Sequence, residues 1–245
     1  MIWQTATTDV KLNLSPTGTL RAAINYGNAV LATRDTAGEL QGVSVDIAHE
    51  LGKRLDLPVT LIPFDAAGKV SGAASENVWD VAFLARDPER ARSITFTAAY
   101  VIIDGNYVVP RDSTITTVEQ VDRDAVRVAV SAGSAYDLFL ARALKHAQLV
   151  RGGSTLDAVA LFRSDRLEAI AGVKQALDQV VANDAGLRMI AEPFMAIHQA
   201  MGTPSGRPLA AAYLAAFVED IKANGFVARA LKKNGQIEAA VAPAG

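Results

Sequence analysis

The segment with the most chemical potential is WDVAFLARDPERARSITFTAAY, Trp79 to Tyr100. A continuous apolar stretch, Val81 to Ala85, runs into Asp87-Pro88-Glu89-Arg90. That order predicts a buried strand and then a helix start: Asp87 can cap, Pro88 suits the first helical position and Glu89 the first turn. Arg90 then falls beside unpaired N–H groups at the positive end of a helix dipole. A cation there costs ~0.3–1 kcal/mol unless an anion answers it. Strand end, helix N-terminus and guanidinium together describe an anion site at the edge of an open α/β sheet. A surface ion pair of Arg90 with Asp87 or Glu89 accounts for the same residues without any ligand.

Other polar side chains fall where loops should leave strand ends: Asn25, Tyr26 and Asn28 after the first strand, Asp65 after the third, and Gln199 further on. Each residue type also serves ordinary turns and caps. Asn25 and Asn28 stand out because the loop after the first strand lies at the carboxyl edge of the sheet. Arg86 adds positive field or is solvated, and His198 reads as hydrogen-bonded structure. Trp79 reads as core, and Asp46, at a helix start, suits the dipole.

The elements that must hold these residues follow from pattern. Leu20 to Tyr26 reads as the first strand, broken by Gly27-Asn28, and Thr36-Ala37-Gly38 with Gly42 as a hairpin or loop. A helical stripe over Val45 to Leu55, a strand over Val59 to Phe64, and a weak Ala/Ser-rich helix before Trp79 lead to the strand ending at Ala85. The order implies an α/β fold with a mostly parallel sheet and helices on both faces. From Asp104 the pattern restarts. Tyr107–Pro110 and Val126–Val130 read as strands, with a short helix over Thr117–Val121 between them. A helix opens at Gly133-Ser134 and runs to about Leu144. A second helix follows the capping box Ser154–Asp157, then a strand over Leu167–Val173 and a helix over Lys174–Ala182. A long helix over Pro208–Asn224 and a terminal helix over Phe226–Asn234 close the chain, each stopped by a glycine. No low-complexity linker separates the two units. The chain is therefore expected to cross between them on extended segments near Ala99–Ile103 and Phe194–Gln199, an arrangement that makes a hinge.

Composition narrows the function classes. With 245 residues, one large or two small domains are expected, and half the residues are hydrophobic, enough for a substantial core. A net charge of −2 argues against nucleic acid as a partner. No apolar run approaches a membrane-spanning length. Zero cysteines exclude disulfides, thiolate catalysis and thiolate metal sites, and His49, His146 and His198 show no metal spacing, so no metal or cofactor is expected. The first residues, MIWQTATTDVKLNLSPTG, carry neither a basic nor an apolar leader pattern and read as a loose arm closed by the turn Ser15–Gly18. They fit a mature form behind a start codon, or a cytoplasmic protein if Met1 is the native start.

The segments LRAAINYGN, ELQGVSVDIAHELGKRL, WDVAFLARDPERARSITFTAAYV, VRVAVSAGSAYDLFL and FVEDIKANGFVARALKKNGQ occur in an order that resembles the family 3 extracellular solute-binding proteins of ABC transporters, over about Leu20 to Gln236. The resemblance implies a type 2 periplasmic-binding-protein-like fold. It has two α/β lobes, each a mixed, mostly parallel sheet flanked by helices, joined by two crossover segments with the ligand between them. Residues 1–101 plus 198–245 would form the first lobe and 102–197 the second. It further implies a periplasmic location, a monomer, a small-molecule ligand and an ABC permease as partner. Arg90 matches the arginine that holds the ligand carboxylate, and a planar fork suits that task. Gly133-Ser134-Ala135-Tyr136 matches the second-lobe segment facing the same carboxylate, although Ser134 with Asp137 is also a capping box, with Ser131 just upstream.

Three departures from the family pattern bear on the ligand. Gly172-Val173 replaces the aspartate that takes an α-ammonium, and Glu168 lies about four positions away. Ala29 and Ala66 stand where aromatic residues sandwich the ligand, and Ala85 stands where a threonine precedes the arginine. A desolvated ammonium without a countercharge is very costly. A small carboxylate or other polar anion is therefore expected rather than an ordinary α-amino acid. A cyclohexadienyl-dehydratase-like enzyme on the same fold and a ligand-sensing module remain as alternatives. An elimination would need a positioned general acid, and Gly172-Val173 offers none.

Overall fold

The computed structural model describes residues 6–245. In chain order the first elements are α1 (Thr8–Leu14), β1 (Leu20–Asn25), β2 (Thr33–Arg34), β3 (Leu40–Gln41), α2 (Val43–Leu55), β4 (Val59–Phe64), α3 (Ala67–Gly72), β5 (Val81–Ala85) and β6 (Ile94–Pro110). Then come β7 (Arg127–Ser131), α4 (Ala135–Ala143), β8 (Gln148–Gly152), α5 (Thr155–Ser164), β9 (Ala169–Val173) and α6 (Lys174–Ala182). The last are β10 (Leu187–Met189), β11 (Met195–Pro204), α7 (Pro208–Ala223), α8 (Phe226–Lys233) and β12 (Ala240–Val241).

These elements group into two compact units, one of residues 6–65, 69–102 and 198–245, the other of 66–68 and 103–197. The chain passes between them within the continuous strands β6 and β11.

In the first unit the strand order is β4-β1-β5-β11, followed by the first half of β6. Strand β1 runs parallel to both β4 and β5, and β11 runs antiparallel to β5 with Gln199 opposite Ala85. The parallel trio leaves the carboxyl ends of β1, β4 and β5 on one edge, the edge at which open α/β sheets in general hold ligands. All five residues of β5 are buried, as its uninterrupted apolar run requires. Helix α2 packs Val45, Ile47, Ala48, Leu51 and Leu55 inward, the expected stripe at helical spacing. Trp79 is fully buried and donates its indole N–H to the Val70 carbonyl.

In the second unit β7 lies between parallel neighbours β8 and β9, while β6 runs antiparallel to both β9 and β10. Val108, Ala129, Phe162, Leu167, Ile170 and Leu177 form its core.

Several sequence expectations are corrected. The helix expected after Asp87 is only a 3-10 turn, Arg90–Arg92. The chain re-enters a strand at Ile94, so backbone demand for β6 overrides the local start signal. The helix at Thr117–Val121 likewise shrinks to a 3-10 turn, Glu119–Val121. Part of the expected loose arm is helix α1, capped by Thr7, whose Oγ1 accepts the Val10 amide at 3.3 Å. Tertiary contacts hold it: Arg207 donates to the Leu14 carbonyl, and Asn13 Oδ1 accepts the Ala210 amide. The rest of that arm, residues 1–5, lies outside the described residues. Strands β8 and β12 are additions that the pattern did not reveal. No described helix is long and apolar enough to cross a membrane.

Candidate functional site

In the first unit the strand order brings six of the sequence-selected residues to one edge: Asn25 at the end of β1 and Asn28 beyond it, Asp65 after β4, Ala85 at the end of β5 and Arg90 beyond it, and Gln199 on β11. Arg90 does not sit on the surface. It is 3% exposed, and its Nη1 donates to the Ala85 carbonyl at 2.9 Å. Of the two surface partners, Glu89 pairs instead with Arg92 at 3.0 Å, while Asp87 is itself buried and acts on Arg90 as a nearby opposite charge. Asp87 forms the turn beneath: its Oδ1 accepts the Glu89 amide at 2.8 Å and its carbonyl accepts the Ala91 amide. Burial pushes the Arg90 guanidinium down to about 10, with the Asp87 carboxylate pulling the other way. Arg90 is therefore still a cation at neutral pH, and a desolvated one. Charge in that condition responds strongly to an added anion. A helix macrodipole adds nothing at Arg90, because a single 3-10 turn has almost no dipole to offer.

The neighbours are mostly committed. Asn25 Oδ1 accepts the Gly27 amide and Asn28 Oδ1 the Val30 amide, so both side chains build the loop after β1. Gly27 permits this loop to approach β4: a Cβ there would stand 2.0 Å from the Asp65 carbonyl. Asp65 pairs with Lys69 at 2.8 Å. Gln199 is buried opposite Ala85. Arg86 and His198 are exposed and meet through their backbones, Arg86 N–H donating to the His198 carbonyl. Asp46 is occupied by Lys233 at 2.6 Å and by Asn234.

Sequence reasoning missed Arg34, whose guanidinium carbon lies 4.4 Å from the centre of the Tyr26 ring. This stacked pair places an aromatic ring in the loop region after β1, near Ala29 in sequence. A two-residue strand, β2, carries the arginine, and so short an element leaves no periodicity to read.

In the second unit, Ser131 ends β7 and Ser134 caps α4, its Oγ accepting the Asp137 amide at 3.0 Å. Gly133 has φ +66°, a backbone setting that a side chain would strain. Its N–H does not stand open for an anion, as the resemblance implied, but donates to Asp137 Oδ2 at 2.8 Å. The Ser134 N–H goes to the Ser131 carbonyl. Asp137 is held in turn by Arg151 Nε at 2.9 Å. The Ala135 and Tyr136 amides, in the first helical turn, have no carbonyl four residues back inside the helix. Tyr136 is buried. Its phenol is raised by that burial, opposed by hydrogen bonds with Ser134, Thr155 and Ser131. Gly172 and Val173 end β9, and a Cβ at Gly172 would meet Leu177 first, at 3.2 Å. Glu168 does not substitute for the missing acid: it takes Arg127 Nε and Nη2 at 2.9 and 2.7 Å together with the Arg127 amide. Among the described residues no cluster of three His, Cys, Asp or Glu could hold a metal ion.

Residues 20–236 match the family described as bacterial extracellular solute-binding proteins, family 3. No curated protein matches the chain. Among solved structures, a mutant of the arginine-binding protein of T. maritima is 17% identical with a TM-score of 0.78, covering 92% of this chain and 98% of that one. The solute receptor for L-cysteine of Neisseria gonorrhoeae is 19% identical at TM-score 0.78, with 93% of each chain covered. An ancestral amino acid-binding protein, described as a precursor of cyclohexadienyl dehydratase, is 19% identical at TM-score 0.75 over 93% of this chain and 99% of that one. At these identities the likeness shows the fold, an α/β architecture of the type 2 periplasmic-binding-protein class.

Proposed function

Because the chain belongs to the bacterial extracellular solute-binding proteins of family 3, we propose that it captures a small carboxylate or similar polar anion through Arg90. It would deliver that solute to an ABC permease from the periplasm, as a monomer and without chemistry. The observation that carries this reading is the buried, charged guanidinium at the end of β5, held by the Ala85 carbonyl. Binding alone suffices for the task, since a ligand that prefers one conformation shifts the population toward it.

The ligand is not an ordinary α-amino acid. An α-ammonium taken out of water needs a carboxylate, and three of the chain's carboxylates are already paired: Asp65 with Lys69, Asp137 with Arg151 and Glu168 with Arg127. The end of β9 presents Gly172 and Val173 instead. A thermal-shift screen of small carboxylates against α-amino acids tests the class. A native-state ligand at a hundredfold excess over its Kd stabilises by about 2.7 kcal/mol, or about 5–10 °C in a chain of this size. Stabilisation by amino acids alone would refute the assignment.

The likeness to a dehydratase precursor keeps one enzymatic reading in view. It is tested by incubating purified protein with prephenate and arogenate. We expect no turnover, because the apolar end of β9 provides no general acid.

A further inference from the structure

A groove of about 410 Å³ lies on the first unit between α2 and α8, well apart in sequence from the residues around Arg90. Both helices face it with residues at i, i+3, i+4 and i+7, so its walls are single helical stripes. Phe226, half-buried at the start of α8, and Ala230 one turn on give it an apolar floor. Its acids are already answered: Asp46 binds Lys233 and Asn234, and Glu50 binds Arg54 at 2.7 Å. Its remaining cations are not answered by acids. Among the described residues Lys53 forms no ion pair, and Arg229 spends only Nη1 on the Asn224 carbonyl.

An apolar patch in one lining with two cations that form no ion pair among the described residues recognises an anion that carries an apolar body. The volume falls in the small-molecule range. We propose that this groove is a second ligand site, taking an amphipathic monoanion such as an aryl-alkyl carboxylate, with its chain against Phe226 and its charge between Lys53 and Arg229. The site is complete within one unit and does not rest on the role of Arg90.

Amide NMR of the full, nitrogen-15-labelled chain, titrated with 4-phenylbutyrate, tests it, with the uncharged 4-phenylbutanol as the paired probe. The carboxylate should shift the amides of His49, Lys53 and Phe226–Ala230 saturably, and the alcohol should bind about fivefold more weakly, as loss of two exposed charge contacts implies. Lys53→Glu and Arg229→Glu, both at exposed positions, should weaken the carboxylate while leaving the rest of the spectrum in place. Arg90→Met should retain these shifts, so a failure here is separable from a failure of the primary site. Absence of shifts, equal binding of the alcohol, shifts centred away from α2 and α8, or indifference to charge reversal would each overturn the proposal.

Discussion

Arg90 Nη1 donates to the carbonyl of Ala85, five residues earlier, at 2.9 Å. The contact bends the long side chain back over the turn that follows β5. Its conformational freedom is therefore already spent before a ligand arrives, and preorganisation of this kind raises affinity by lowering the cost of ordering. The same burial that fixes it strips water from the cation. A planar donor fork in a desolvated setting suits a carboxylate or a similar planar anion.

The support behind this edge can be tested by itself. Asp80, fully buried, accepts from the Arg21 amide, from Arg21 Nε and Nη2, and from Arg207 Nη1 at 2.8–3.0 Å. It joins β1 to the start of α7 through a single carboxylate. Asp80→Ala leaves two half-buried cations without the buried carboxylate they share and is expected to cost ~3–5 kcal/mol. The urea midpoint should fall with an unchanged slope. A loss under ~1 kcal/mol would mean that the cluster is replaceable by water.

Ser134 separates capping from binding in the second unit. Its hydroxyl accepts the Asp137 amide at 3.0 Å. Ser134→Ala should therefore destabilise by ~0.5–2 kcal/mol and Ser134→Gly by only a few tenths. Thermal melts without ligand check this order. Equal losses in the two variants would show that the hydroxyl does more than cap.

Acid should act on Asp122 in a definite direction. Desolvation raises this carboxyl, but the amides of Ala147, His146 and Lys145, with the nearby His146, hold it below its ordinary 3.8. A lowered carboxylate contributes stability above its ordinary value, and that contribution is lost as pH falls through the folded-state value. Asp122→Ala should thus be less stable than the parent at pH 7, with the gap narrowing on acidification below 3.8. Chemical denaturation across that range reads the difference. A gap that widens in acid would contradict the assignment.

Much of the architecture was legible because hydrophobic period and turn chemistry agree along most of the chain. Helix α6 matches its expected span, Lys174–Ala182, and α2 its apolar stripe. Three features were hidden for physical reasons. Helix α1 is only seven residues long, too short to show a helical period, and Arg207 and Asn13 tie it to the start of α7. The Asp87–Arg90 start signal is genuine, yet the strand demand of β6 stops it after one turn. Strand β8, Gln148–Gly152, carries no alternation and is fixed by its partner β7.

The site was legible in part. The strand ends could be placed from the β-α order, so Asn25, Asp65, Ala85 and Arg90 fall on one edge as expected. What each side chain does there was not readable. Asx-type contacts claim Asn25 and Asn28, and an internal carboxylate claims the Gly133 amide. The Arg34–Tyr26 stack comes from a hairpin too short to leave a sequence signal.

The central claim is that the Arg90 charge captures the solute's anion. Thermal-shift titration of the parent and of Arg90→Met, with one panel of small carboxylates and α-amino acids, tests it most directly. Methionine keeps length and apolar bulk, so the unliganded melting temperature should change little. At least one carboxylate without an α-ammonium should raise the parent's melting temperature, and that rise should vanish in Arg90→Met. A rise of the same size in the variant would contradict the account.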